Sequence, residues 1–147
     1  MSTIRGMLRK VLEAKQGIEP TMLRIVNDNK EIIIDLNREK QLSLGLNPDG
    51  ELIGVYSKAT ETMYGGAENG KFAGEPYNFE DTGDLFKGFK LEFNNGELRI
   101  YSTDSKVPLL QSEYGQLFGL TKNNEYTLNY DIIKAPLVKY IKQTIRG

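Results

Sequence analysis

Apolar residues near the start of the chain recur with the spacing of one helix face. Between residues 4 and 12 they fall at positions i, i+3, i+4, i+7 and i+8, with charged residues on the other faces. Ser2 or Thr3 can cap the start by accepting a hydrogen bond from a backbone N–H, and Gly17 suits the end. The pattern therefore predicts a first helix with an apolar stripe, made of Ile4, Met7, Leu8, Val11 and Leu12.

A second helix is predicted to begin at Pro20, because a proline in the first helical turn loses no hydrogen bond. Its apolar positions run from Met22 to Leu36 and are interrupted once, by Asn29. Asn29 either fixes a register between packed helices or lies partly exposed. The alternative for residues 31–36 is a strand, since three consecutive isoleucines are β-branched. The 3.6-residue spacing favours the helix.

The middle of the chain holds a turn, a short strand and a long loop. Residues 47–50 read Asn-Pro-Asp-Gly, which favours a tight turn. Residues 52–56 are predicted to form a short strand. Residues 65–80 are rich in glycine and predict a flexible loop, and a loop of this length inside a compact domain commonly has a function.

A β-hairpin over residues 90–101 is predicted around the dipeptide Asn95-Gly96. A type I′ turn needs positive φ at both central positions, which asparagine and glycine tolerate. The resulting register places apolar residues opposite each other on one face and opposite charges on the other. The expected pairs are Phe93 with Leu98, Leu91 with Ile100, and Glu92 with Arg99.

Two short elements are predicted after the hairpin. Apolar positions in residues 110–118 follow helical spacing, and Gly119 suits the end of that helix. Residues 120–130 alternate around Tyr126 and Leu128, which predicts a last strand.

The chain closes with an amphipathic helix over residues 133–145, with Pro136 either near its first turn or kinking it. These elements predict one α+β domain over residues 1–147. N-terminal helices, a central small antiparallel sheet and the C-terminal helix make up the expected architecture.

Charge is unevenly distributed along the 147 residues. Residues 1–16 carry four basic residues against one acidic residue, and residues 131–147 do the same, so each end has a net charge of +3. The residues between them carry 11 basic and 18 acidic residues, a net of −7. Basic ends on an acidic body would let copies attract each other, or let an end contact nucleic acid. The alternative is that both ends are solvated helix faces.

The missing residue types narrow the possible chemistry. The sequence contains no cysteine and no histidine. Thiolate chemistry, disulfides, the familiar zinc sites and the usual serine triads are therefore excluded. No apolar run approaches the length that spans a bilayer. We expect a protein without cofactor, metal or membrane partner, made in a reducing cytosol.

One motif suggests catalysis. Asp81-Thr82-Gly83 matches the Asp-Thr-Gly of aspartic proteases, in which two such carboxylates share a proton. The flanks do not fit, because the protease motif follows an apolar strand and here Glu80 precedes it and Asp84 follows. The structural interpretation is that Asp81 or Thr82 caps a short helix.

A family resemblance lies in the order of features over residues 50–121. Residues 81–89 (Asp-Thr-Gly-Asp-Leu-Phe-Lys-Gly-Phe) lead into the hairpin, and residues 114–121 (Tyr-Gly-Gln-Leu-Phe-Gly-Leu-Thr) follow it. This order resembles small bacteriophage neck and tail-completion proteins, most closely virion proteins of phages infecting Bacteroidetes. Residues 74–78 (Gly-Glu-Pro-Tyr-Asn) fit the same resemblance. The tail-completion proteins of the better-known model phages share no long motif with this chain.

The resemblance implies a structural protein of the virion, made in the host cytoplasm. Copies would form a homo-oligomeric ring that joins head to tail, with portal or tail proteins as neighbours and DNA as a further partner in the channel. The loop is the expected intersubunit contact. Its candidate residues are Gly65, Gly66, Gly70, Phe72, Gly74, Tyr77 and Phe79.

Two alternatives to this role stay open. One is a non-catalytic binding module or regulator of a phage or host protein. The other is an aspartyl-type hydrolase that uses Asp81.

Overall fold

This computed structural model describes residues 3–62, 65–79 and 83–146, and its fold is α+β. The helices are α1 (Ile4–Asp28), α2 (Lys30–Arg38), α3 (Lys58–Thr62), α4 (Asp84–Lys87), α5 (Val107–Tyr114), α6 (Lys122–Tyr126) and α7 (Lys134–Arg146). The strands are β1 (Phe89–Asn94) and β2 (Glu97–Ser102). A π-helical segment, Thr127–Ile133, joins α6 to α7, and 3-10 turns cover Leu42–Leu44 and Ala67–Asn69.

The first helix is longer than the sequence pattern predicts. Thr3 caps it as expected, since its Oγ1 accepts a hydrogen bond from the Gly6 amide at 3.0 Å. The predicted end at Gly17 and the predicted new start at Pro20 are both wrong, because α1 runs through both residues. At Gly17, packing against Tyr140 of α7 outweighs the weak helix propensity of the glycine.

The break between the first two helices falls at Asn29 instead. Its backbone leaves helical geometry, with φ −113° and ψ 19°, and its side-chain Nδ2 donates to the Ile25 carbonyl at 2.8 Å. An asparagine side chain that bonds to the backbone competes with the helix, which is why the break occurs here. The helical interpretation of residues 31–36 is confirmed by α2, and the strand alternative is wrong.

The hairpin is confirmed in detail. β1 pairs with β2 in the register that the sequence predicts, with Glu92 opposite Arg99 and 3.5 Å between their charged atoms. Asn95 and Gly96 both have positive φ. The strand expected at residues 52–56 is wrong. Those residues make only isolated bridges, Leu52 with Leu46 and Val55 with Pro76.

The segment after the hairpin differs from expectation in two places. α5 ends at Tyr114, before Gly115 with its φ of +81°, rather than near Gly119. Leu117 and Phe118 then enter the core from a loop, not from a helix. The strand predicted for residues 120–130 is wrong, because Thr121 caps α6 by accepting a hydrogen bond from the Asn124 amide at 3.2 Å.

The helices α6 and α7 form a nearly continuous path that runs antiparallel to α1 and α2. Near its start, Asn124 Nδ2 donates to the Leu36 carbonyl at 2.9 Å. Further on, the Tyr140 hydroxyl donates to the Ala14 carbonyl at 3.3 Å, and the same hydroxyl lies against Gly17. The end of α7 therefore lies beside the first half of α1. The widened π turn comes just before Pro136, a residue that has no N–H to donate.

The core lies where α2, the hairpin and the loop after α5 meet. Leu42 and Leu117 are fully buried there, and Val26 is the first residue of α1 in this cluster. Leu85, Phe86 and Phe89 are buried in the same core. The first half of α1 extends away from this core.

Candidate functional site

The apolar stripe at the start of α1 is exposed. Ile4 has 88% of its surface accessible and Leu8 has 58%, and the other members are exposed as well. The buried face of α1 borders this stripe and includes Ala14, Thr21 and Ile25, and α7 packs against α1. We call Ile4, Met7, Leu8, Val11 and Leu12 the N-terminal stripe. A contiguous apolar stripe left in water on a soluble helix is characteristic of an interaction surface.

The antiparallel pairing of α1 and α7 places both basic ends of the chain together. The α1 residues Arg5, Arg9 and Lys10 lie at the same end of the pair as Lys142 and Arg146 of α7. An open groove of about 730 Å³ runs along the outer side of α7 and is lined by four basic side chains together with Val138. The N-terminal stripe therefore lies at the end of the helix pair where basic side chains of both helices collect.

The predicted intersubunit loop contributes one exposed aromatic side chain. Phe72 has 43% of its surface accessible, whereas Tyr77 and Phe79 are half-buried against their own chain. Gly66 is buried against the Thr60 carbonyl. The remaining glycines have positive φ with no described residue within 4 Å of an added Cβ; they are Gly65, Gly70 and Gly74.

Three backbone segments lie side by side on the body of the protein. The Ile53 amide donates to the Gly45 carbonyl at 2.7 Å, which joins residues 44–46 to residues 52–56. The Tyr77 amide donates to the Gly54 carbonyl at 3.1 Å, which adds residues 74–77. These segments leave three apolar side chains exposed: Leu44, Leu52 and Val55.

Acidic residues outnumber basic ones in the chain around these segments. Residues 49–76 carry five carboxylates against two lysines, a net charge of −3. Glu51 and Glu75, both exposed, lie directly beside Leu52 and Pro76 in the chain. We call Leu44, Leu52 and Val55, with Glu51 and Glu75, the acidic body patch.

An aromatic pocket of about 300 Å³ lies behind the loop. Its wall includes Tyr56, Tyr77, Phe79 and Tyr114, whose rings meet edge to face, with 5.6 Å between the centres of Tyr77 and Tyr114. Burial, together with the nearby Glu113 carboxylate, raises the pKa of Tyr114, so its hydroxyl stays protonated at neutral pH.

Beside the aromatic pocket, one buried polar atom has no partner among the described residues. No described group donates a hydrogen bond to Asp104 Oδ2, and Asp104 lines the pocket together with Lys71. Lys71 Nζ lies 6.0 Å from the centre of the Tyr56 ring. The pocket therefore combines aromatic faces with charged groups of both signs, a composition suited to holding a side chain or small ligand.

Asp81, the carboxylate of the aspartyl-hydrolase hypothesis, lies outside the described residues, and so does Thr82, the alternative helix cap. In the part of the chain that is described, no group of acidic residues is arranged to hold a metal ion. None of the described helices combines the length and the apolar character needed to cross a bilayer.

The apolar spacing of residues 4–12 indicates the members of the N-terminal stripe but not their exposure. An amphipathic stripe is normally a core face, and whether it is covered depends on where α7 packs, more than 120 residues away in the chain.

Comparisons with models of protein families, with curated proteins and with solved structures find no match for this chain.

Proposed function

We propose that this protein is a non-catalytic structural subunit that assembles with copies of itself, as part of the head–tail connector of a bacteriophage particle. The observation that carries the assembly role is the exposure of the N-terminal stripe on a helix that extends away from the core. Exposing five apolar side chains is unfavourable in water, and burial against another subunit removes that cost.

The dimensions of the helix pair support this role. Ile4 and Val26 are 22 positions apart on the helix, a distance of roughly 33 Å at 1.5 Å per residue. The N-terminal stripe, which begins at Ile4, can therefore contact a neighbouring subunit without deforming the body. The charged surfaces of opposite sign at the two ends of the molecule suit repeated contacts between identical copies.

The connector assignment rests on the resemblance over residues 50–121 to phage neck and tail-completion proteins. In such a ring the portal and tail proteins of the virion would be the neighbours. The basic end formed by α1 and α7 would be the part suited to DNA in a central channel.

The assembly role predicts that the double variant Leu8→Ser, Val11→Ser loses its oligomers. Burying one such side chain is worth about 1.5–3 kcal/mol, so each replacement should weaken association about tenfold or more. Light scattering over a wide concentration range measures the change. We expect a discrete oligomer for the natural sequence and a species near 16.6 kDa for the variant.

The matched control for that experiment is Leu109→Ser. Leu109 has 69% of its surface accessible and lies on α5, away from the N-terminal stripe. It should assemble like the natural sequence. Equal oligomer masses for the double variant and the control would contradict the role given to the stripe.

A second candidate function, a binding module for another protein, is favoured by the aromatic pocket. The natural protein would then stay monomeric at every concentration and form a one-to-one complex with a portal or tail protein. Lys71→Ala should weaken that complex, because Lys71 lines the pocket and contacts the Tyr56 ring. A ring that forms without any partner would contradict this candidate.

A further inference from the structure

We infer that the N-terminal stripe of one copy docks on the acidic body patch of the next copy, so that the subunits join head to tail. This inference rests on the proposed assembly function and deepens it, by naming the surface that receives α1. It makes the contact heterologous, meaning that two different surfaces meet at every interface.

Apolar side chains are present on both surfaces. Leu44, Leu52 and Val55 are exposed on adjoining backbone segments. Phe72, the exposed aromatic residue of the loop, is only four residues from Pro76, which bridges to Val55. By contrast, Leu109 is the sole large apolar residue of α5 among the exposed ones, so α5 offers much less apolar area to a helix.

Charge selects between the possible partners for α1. Residues 3–16 have a net charge of +3, and the chain around the acidic body patch, residues 49–76, has a net of −3. Docking two N-terminal stripes on each other would bring Arg5 and Arg9 of both copies together, and would add the basic end of α7. Like charges at an interface are unfavourable, so the head-to-tail contact is preferred over a symmetric one.

The helix geometry prevents a copy from satisfying its own stripe. α1 is continuous from Ile4 to Asp28, and α7 packs against it without burying the stripe. The acidic body patch follows α2 in the chain, at the opposite end of the helix pair from Ile4. Two unlike surfaces held apart on a rigid body lead to a closed ring or to an open filament, according to the rotation between neighbours.

Disulfide cross-linking tests this contact, and the natural chain has no cysteine to interfere. The variants Leu8→Cys and Leu52→Cys are purified separately, then mixed under mild oxidation and analysed on a non-reducing gel. We expect a cross-linked dimer that contains one chain of each kind in the mixture, and little from either variant alone. Leu109→Cys replaces Leu52→Cys in the matched control and should give no mixed dimer.

Charge reversal provides a second test of the same contact. Arg5→Glu with Arg9→Glu, added to the Leu8→Cys chain, should slow formation of the mixed dimer by about tenfold at low salt. Glu51→Lys with Glu75→Lys, added to the Leu52→Cys chain, should restore the rate. Rescue of this kind requires the two charged surfaces to face each other and does not follow from a loss of folding.

The outcomes separate the inference from the function on which it rests. If light scattering shows oligomers but Leu8→Cys cross-links rapidly to itself, the head-to-tail contact is overturned and the assembly role stands. Oligomers whose mixed dimer is unaffected by charge reversal would also overturn it. A monomer at every concentration would overturn both. A monomer that binds anionic lipid vesicles through α1 would assign the stripe to a membrane surface instead.

Discussion

Asn37→Ala should lower the free energy of unfolding by about 3 kcal/mol, a large effect for one polar residue. Asn37 is fully buried on α2. Its Nδ2 donates to the Leu117 carbonyl at 3.1 Å, and its Oδ1 accepts from the Gly119 amide at 2.9 Å. Alanine would leave both backbone groups buried without a partner, and each such group costs about 1–3 kcal/mol.

Urea denaturation followed by circular dichroism measures this change. The control is Asn27→Ala, an exposed asparagine of α1, which should change the free energy of unfolding by about 0.5 kcal/mol or less. Asn37→Asp keeps the acceptor but loses the donor, so it should also be strongly destabilising. Equal midpoints for the Asn37 and Asn27 variants would show that the two hydrogen bonds contribute little.

Asn37 acts together with Gln41, which follows it by four residues. Gln41 Nε2 donates to the Gly119 carbonyl at 2.8 Å, and its Oε1 accepts from the Thr121 amide at 2.9 Å. The two side chains thereby hold the loop that carries Leu117 into the core. Because they share this loop, the loss for a double variant should be smaller than the sum of the two single losses.

The contacts of these two residues could not be predicted from the sequence. The hairpin could be predicted to the residue, because its turn dipeptide and its cross-strand pairs are close together in the chain. Asn37 and Gln41 look like ordinary polar positions of a helix, and their partners lie about 80 residues further on. No local sequence pattern indicates such a contact.

The difference between local patterns and long-range contacts also explains the wrongly predicted boundaries of helices and strands. Gly17 and Pro20 are typical of helix ends, but both lie inside α1, and α7 packs against α1 at Gly17. Residues 120–130 alternate like a strand, yet the Thr121 cap and the adjoining helix α7 draw them into helical geometry. For the candidate site, the sequence revealed the stripe residues and the opposite charges. It could not reveal that the stripe lies uncovered, because that depends on the three-dimensional position of α7.

Gly45→Ala is expected to be the second strongly destabilising change, with a loss of about 3 kcal/mol in the free energy of unfolding. Gly45 has φ +77°, which an L-residue adopts only at a cost of about 1–2 kcal/mol. An added Cβ would also lie 2.7 Å from the Tyr77 carbonyl oxygen and 3.0 Å from the Pro76 Cβ. These neighbours belong to the backbone and to a proline ring, which cannot rotate away, so the segments of the acidic body patch would have to separate.

Gly70→Ala is the matched control for this variant. Gly70 has φ +75°, but no described residue lies within 4 Å of its added Cβ. Both variants therefore share the cost of a positive φ, and only Gly45→Ala adds a steric collision of the new Cβ with Tyr77 and Pro76. Thermal and urea denaturation should show a difference of about 2 kcal/mol between them. Equal losses would mean that the collision is relieved without cost.

The Gly45 variant also links the fold to the proposed contact between copies. If residues 44–46 and 74–77 separate, Leu44 and Leu52 no longer present one surface to the N-terminal stripe of a neighbour. Gly45→Ala in the Leu52→Cys chain should then reduce cross-linking to Leu8→Cys, at a temperature where the variant is still folded. Gly70→Ala in the same chain should leave cross-linking unchanged. Unchanged cross-linking in both would place the contact on a part of the body that Gly45 does not support.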